Sequence, residues 1–365
     1  MNGSAVLRGV LIVAIVPLIV LAATGSAAED IAGNAEAGYS FAPSDIREVL
    51  AAPYPGSNVV DLGAKGLEPG DVIDPYLEDW VADDTQVHIP EGTYRLTSIQ
   101  IFRGIGNASI VGAGEVVLDR GDLHDAVISL RPNGDFLIKN VTLKGRGSER
   151  PSGSGINLAT SNPDAAIVLQ NVKMNDGAVQ GDAGGIFIFP EHAGKAYLID
   201  LEIAGFPDNG MYGSAPGIPD RGQQGEVHVY GGVYKNNNIS NIRIGSHHSS
   251  IRNAVSIHDE LAPPYATGAR NQRGIWIQQP GQDLRIEDCD FIQTVGWHAI
   301  ITDGSGRIRN IRIHTESDRP AIRTDANWSG DGIHITGSGA KDITGGNFTN
   351  VFTGEDAEPP SRPGS

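Results

Sequence analysis

Cysteine is nearly absent from this chain: Cys289 stands alone among 365 residues. No internal disulfide can form, so the fold must be held by its core or by ions. Cys289 follows Asp288 between apolar neighbours, which suits a small buried residue better than a nucleophile. Lysine is scarce as well. Only seven of the 27 basic residues are Lys, Asp outnumbers Glu 28 to 16, and the formal net charge is −17. That field repels phosphate backbones, so nucleic acid is excluded as a partner. The same balance suits concentrated salt, where screening relieves repulsion among dense carboxylates. It also makes any single Asp or Glu a weak signal, because most are surface charge. Long helical periodicity is missing, and 48 Gly with 21 Pro punctuate the chain too often for helices. No phosphate loop, nucleophile elbow or dinucleotide fingerprint is present.

One apolar run stands out, Val10 to Ala23, between Arg8 and Ser26-Ala27-Ala28. A positive start, a short apolar stretch and small residues at the exit describe a secretory signal peptide over 1–28. The protein is therefore expected to be secreted or held at the cell surface. A membrane enters only if this segment stays uncleaved as an anchor. Asn-x-Ser/Thr sequons occur at Asn107, Asn140, Asn238, Asn327 and Asn347.

What the chain does have is repetition. Eight times an aliphatic residue is followed two positions later by Asn, Asp or Gly. The centres are Asn140, Asn171, Asp200, Gly231, Asn253, Asp288, Asn310 and Gly345. The aliphatics are Ile138, Leu169, Leu198, Val229, Ile251, Ile286, Ile308 and Ile343. Asn, Asp and Gly best tolerate a left-handed backbone, so each centre reads as a corner between two short strands. Corners recurring every 22 to 35 residues wind the chain into a solenoid.

A second phrase accompanies the corners: Gly155-Ile156-Asn157-Leu158, Gly185-Ile186-Phe187-Ile188, Gly210-Met211-Tyr212-Gly213, Asn241-Ile242-Arg243-Ile244, Gly274-Ile275-Trp276-Ile277, Ala299-Ile300-Ile301-Thr302 and Gly332-Ile333-His334-Ile335. Alternation with period two turns the aliphatics inward and the middle residues outward. Stacking should then align Asn157, Phe187, Tyr212, Arg243, Trp276, Ile301 and His334 in one row. A β-sandwich, the competing architecture, does not require the same corner residue at the same offset in every repeat.

Short helices are expected over Ser44 to Ala51, with Ser44 as N-cap, and over Tyr76 to Ala82. The stretch Val59-Val60-Asp61-Leu62-Gly63-Ala64 and the later Pro90-Glu91-Gly92-Thr93-Tyr94 carry a resemblance. With the repeats downstream, about 57 to 350 resembles the pectate-lyase-like superfamily of right-handed parallel β-helices. The resemblance implies a strand with an Asp-x-Gly-Ala-like motif, a helix covering the open end, and a strand ending Pro-x-Gly-x-Tyr. The expected fold is all-β, a right-handed parallel β-helix of about nine or ten coils with a short N-terminal capping helix. The expected divisions are a signal at 1–28, a polar and helical segment at 29–56, the β-helix at 57–352 and a disordered tail at 353–365. The resemblance does not imply a reaction. The motif sets of polygalacturonases and of mannuronan epimerases are absent, and no lyase signature maps residue by residue.

The outward row suits a polymer, because aromatic faces bind sugar rings and Arg pairs with carboxylates. Phe187, Tyr212, Arg243, Trp276 and Trp297 are the candidate substrate-binding residues. Asp208, Arg273 and His298, in turns beside the row, are the candidate catalytic residues. Arg243 or Arg273 could neutralise a sugar carboxylate for a lyase, with Asp182 and Asp208 holding Ca²⁺. Asp208 with Asp303 or Asp331 could instead supply the carboxylate pair of a glycosidase. His298 titrates near neutrality and could act as acid or base. His247, His248, His258, Asp259 and Glu260 offer metal-ligand chemistry if they converge. No metal is assigned, and Ca²⁺ is the one cofactor kept open. The insertion His258 to Gln272 should wall one side of the groove. The leading expectation is a monomeric extracellular protein that binds, and as a lyase or glycosidase cleaves, a polysaccharide. The other is a non-catalytic surface adhesin or envelope protein on the same scaffold.

Overall fold

A computed structural model describes residues 42–121, 123, 127–147 and 153–354. The signal segment and nearly all of the expected tail lie outside them. The chain divides into two compact units, Met1–Pro53 with Pro360–Ser365, and Tyr54–Pro359. In the first unit a helix α1 spans Ser44–Ala51. Its N-cap is Pro43 rather than Ser44, and no side chain caps it. Ser44 sits one position inside, with Asp45 in the first turn near the positive end of the helix.

The second unit is the right-handed parallel β-helix. Its strands form a ten-stranded sheet and a sixteen-stranded sheet, and every pairing is parallel. One strand of the ten-stranded sheet falls in each coil, which gives ten coils. The aliphatics two before each corner stack in register: Ile138 on Leu169, then Leu198, Val229, Ile251, Ile286 and Ile308. All are at most 1% exposed. Each contributes roughly 1.5–3 kcal/mol by leaving water. The second ladder, Ile156, Ile186, Met211, Ile242, Ile275, Ile300 and Ile322, faces it from the ten-stranded sheet.

The corners superimpose. Asn140, Asn171, Asp200, Asn253, Asp288 and Asn310 all have φ between 49° and 57°. Side-chain amides link them along the stack, Asn171 Nδ2 to Asn140 Oδ1 at 2.9 Å and Asn310 Nδ2 to Asp288 Oδ1 at 2.5 Å. The residue after each corner turns inward, which places Cys289 in the core beside Ala254 and Ile311.

The expected eighth corner is wrong. Ile343–Thr344 pairs with Ile322–Arg323 in the ten-stranded sheet, so Gly345 is a turn there. The register continues the corner column through Gly332 and Asn350 instead. Gly332 and Asn350 already supply the corners on either side of it, so Gly345 falls on the stretch of the other sheet that joins them. The same slip misplaces the last row member. His334 lies in Trp328–Thr336 of the sixteen-stranded sheet, stacked on Phe352 at 4.7 Å.

The N-terminal coil is closed by helix α2, Asp74–Trp80, two residues ahead of the expected span. Ile73, Leu77 and Val81 from this turn join the core cluster. The buried Asp74 carboxylate accepts the backbone N–H groups of Thr97 and Ser98 and the Ser98 hydroxyl, which pins the helix over the coil. The motif residues of the opening segment have local jobs. Asp61 Oδ1 accepts the Gly63 amide at 2.8 Å, an Asx turn. Tyr94 is fully buried and donates to the Pro90 carbonyl at 2.8 Å. Gly92 has φ 151°, and a Cβ there would meet Pro69 at 2.9 Å.

Candidate functional site

Parallel stacking builds the outward row from one residue per coil. In register it runs Ser129, Asn157, Phe187, Tyr212, Arg243, Trp276, Ile301, Arg323 and Thr344. Arg323 therefore occupies the place expected for His334. Asp331 leaves the site with His334: it lies in the sixteen-stranded sheet and pairs with Arg307 at 3.0 Å. Trp328 is a core residue, 1% exposed, whose indole N–H donates to the Asp303 carbonyl.

The row is a ladder of alternating rings and guanidinium groups. Phe187 meets Tyr212 edge-on at 5.0 Å. Arg243 lies over Tyr212 at 3.9 Å and over Trp276 at 4.5 Å. Arg273 lies over Trp276 at 4.5 Å and over Trp297 at 4.9 Å, and Arg319 over Trp297 at 5.3 Å. Arg243 is held further by Nε donating to Ser214 Oγ at 3.0 Å and Nη2 to Tyr212 Oη at 3.2 Å. Its guanidinium is 9% exposed as a residue, and burial is the main cause that lowers its pKa. Trp297 is the most open ring of the set, 37% exposed.

An acidic pair sits at one end. Asp182 and Asp208 precede the adjacent strands Gly184–Ile188 and Met211–Gly213. The Asp208 carboxyl is pushed up to about 6, first by burial and further by the charge of Asp182. Arg243 and hydrogen bonds from Asn209 pull the other way without cancelling it. Asn209 Nδ2 donates to Asp208 Oδ1 at 2.7 Å and in turn Asn209 Oδ1 accepts from Ser240.

The insertion before Arg273 covers this end, as its length suggested. Tyr265 bridges Gly181, three strands back along the ten-stranded sheet. Asn238 ties the insertion down by donating to the Ala269 carbonyl and accepting the Asn271 amide. The Tyr265 phenol is raised by burial and by the charges of Asp208 and Asp182. Tyr265 was not legible as a site residue in sequence, because nothing fixes where a loop tip lands.

The other end is cationic. Arg273 is lowered to about 10, by burial and then by Arg243 and Arg323. His298 Nδ1 donates to the Pro320 carbonyl at 2.6 Å, which leaves Nε2 as a base. Burial and then Arg323, Arg273 and Arg319 lower its pKa. Arg273, Trp297, His298 and Arg323 thus form one group. Asp208 belongs to another: it precedes a strand two coils from Arg273, roughly 10 Å along the stack. Asp303, beyond the far ends of the strands, is raised by burial and by Asp325.

The metal-type residues do not converge. His258 is fully buried and bonds the Arg273 carbonyl, Asp259 pairs with Lys235 and Asn236, and His247 accepts the Gln282 amide. Among the described residues no three His, Cys, Asp or Glu side chains group as metal ligands. Asp182 and Asp208 alone, one of them receiving an amide N–H, do not supply the six to eight oxygens Ca²⁺ takes.

No family model and no curated protein matches this chain. Solved structures do. A protein of Geobacillus virus E2, ORF18, superposes with TM-score 0.55 at 13% identity over 81% of this chain. The enzymatically active domain of tailspike protein 4 from bacteriophage CBA120 superposes with TM-score 0.51 at 11% identity, again over 81%. The matches span 60% and 44% of those chains, so this protein covers about half the length of either. At such identities the likeness is one of fold.

Proposed function

We propose that this protein is an extracellular polysaccharide-active β-helix protein that lays its substrate along the ten-stranded sheet and hydrolyses it. The observation that carries this reading is the pair Asp182 and Asp208 at the end of an aromatic ladder. The half-buried rings of Phe187, Tyr212 and Trp276, interleaved with guanidinium groups, line a track for successive sugars, and Trp297 is its most open ring. Asp208, with a carboxyl near 6, keeps a proton at mildly acidic pH and gives it to the leaving oxygen. Asp182, one coil away, is the second carboxylate that a glycosidase requires. Tyr265 closes the insertion over both. Arg273 and His298 lie further along and act on substrate binding in this reading.

Incubation with a panel of uronic-acid and neutral polysaccharides in high salt, with and without Ca²⁺, tests it. New reducing ends without unsaturated sugar are expected. Unsaturated product would replace the hydrolase with a lyase. Binding without any cleavage would favour the surface adhesin.

A further inference from the structure

The cationic end of the ladder is out of keeping with the rest of the molecule. The chain carries −17, and several arginines elsewhere pair with carboxylates. Arg252 meets Glu287, Arg307 meets Asp331 and Arg312 meets Asp290. Arg243, Arg273 and Arg323 have no ion-pair partner among the described residues. They are nevertheless gathered on three of four consecutive strands, close enough that Arg243 and Arg323 each act on Arg273. Arg319 joins them over Trp297, with Asp318 at 3.9 Å as its one ion-pair partner among the described residues.

Their donors are only partly used. Arg243 spends Nε and Nη2 on Ser214 and Tyr212, and Nη1 has no acceptor among the described residues. Arg273 donates one bond, from Nη1 to the Ile239 carbonyl at 3.3 Å, and its Nε is buried with no acceptor. Arg323 is exposed, and its side chain donates to no acceptor among the described residues. Like charges held together with orphaned N–H groups are unfavourable in the free protein. An anion placed among them satisfies both the charge and the donors. Aromatic faces hold the two inner guanidinium groups in place, so little ordering is needed when it binds.

We propose that the sugar polymer is anionic, and that Arg243, Arg273 and Arg323 form a subsite for a carboxylate or sulfate group on one of its rings, flanked by Trp276 and Trp297. This rests on the polysaccharide reading and narrows it. The acidic remainder of the surface repels the same polymer, so the subsite also fixes where along the groove the chain seats.

The test is affinity for a polyuronate, for the same polymer after carboxyl reduction, and for a sulfated galactan, measured by calorimetry at fixed high salt. The polyuronate or the sulfated polymer is expected to bind at least tenfold more tightly than the carboxyl-reduced one, and the tighter of the two identifies the group. Arg273→Gln and Arg323→Gln should each lower that affinity about tenfold and leave the reduced polymer unaffected. Arg323 is exposed, so its variant remains informative if Arg273→Gln does not fold. Equal affinity for native and reduced polymer, or equal losses on both, overturns the anionic subsite and leaves the polysaccharide reading standing. No binding to any of the three overturns both.

Discussion

Asp208→Asn should make this protein more stable at neutral pH while slowing its chemistry. An Asp carboxyl ordinarily ionises near 3.8, and in the folded protein Asp208 does so at about 6. The unfolded chain therefore loses this proton first. The folded state carries no penalty from Asp208 below pH about 4, loses stability as pH rises towards 6, and bears a constant penalty above that. Two units correspond to about 3 kcal/mol. The residue is partly open to solvent, which trims the effect to about 1–2 kcal/mol. Asn has the same shape and no charge, and its Oδ1 still accepts from Asn209. Arg243 loses a distant counter-charge and keeps Tyr212, Ser214 and Trp276. Urea unfolding of both proteins at pH 4, 5, 6 and 7 in one salt concentration measures the difference. The variant should match the wild type at pH 4 and exceed it by about 1–2 kcal/mol at pH 7. A gap that does not change with pH, or a variant less stable at pH 7, would refute the reasoning.

Catalysis should show the same group from the other side. The rate should fall as pH rises through about 6, where Asp208 gives up its proton, and Asp208→Asn should leave no such limb in a pH–rate profile. In the core, Ile251→Ala removes a side chain with no exposure from the middle of the inward column, and should cost about 2–5 kcal/mol by denaturant unfolding. At the corners, Asn310→Ala should cost about 1–2 kcal/mol more than Asn310→Gly, because both lose the bond to Asp288 and only Ala resists φ 52°. Trp297→Ala should weaken polymer binding about fivefold to tenfold by calorimetry, with little change in the melting temperature, because its ring is the most exposed of the ladder.

The repeat was legible because the fold itself is periodic. A left-handed residue and an inward aliphatic two before it are needed in every coil, so Asn140 to Asn310 could be read from spacing alone. The same spacing explains the error at Gly345, where a glycine and a preceding Ile343 imitate the phrase on the ten-stranded sheet while the corners fall at Gly332 and Asn350. Once that corner slipped, His334 and Asp331 were assigned to the wrong sheet. Arg323 was missed although Ala321-Ile322-Arg323-Thr324 repeats the pattern of Ala299-Ile300-Ile301-Thr302, because Gly332-Ile333-His334-Ile335 imitates the phrase more fully and reads as the next copy. The ladder from Phe187 to Trp276 followed from register. Its links through Arg273, Trp297 and Arg319 did not: Arg273 begins its strand where a turn was expected, and Trp297 and Arg319 reach in from turns. Tyr265 depended on a loop tip crossing three strands, a path set by Asn238, Gly181 and the insertion's own bonds.

The most direct measurement is a crystal structure of Asp208→Asn with an oligosaccharide of the polymer it binds. The sugar should lie across Trp276 and Trp297, an anionic group should meet Arg273 and Arg323, and a glycosidic oxygen should sit beside residue 208. An oligosaccharide seated on the sixteen-stranded sheet, or at the end of the coil stack with the ladder empty, would contradict the account.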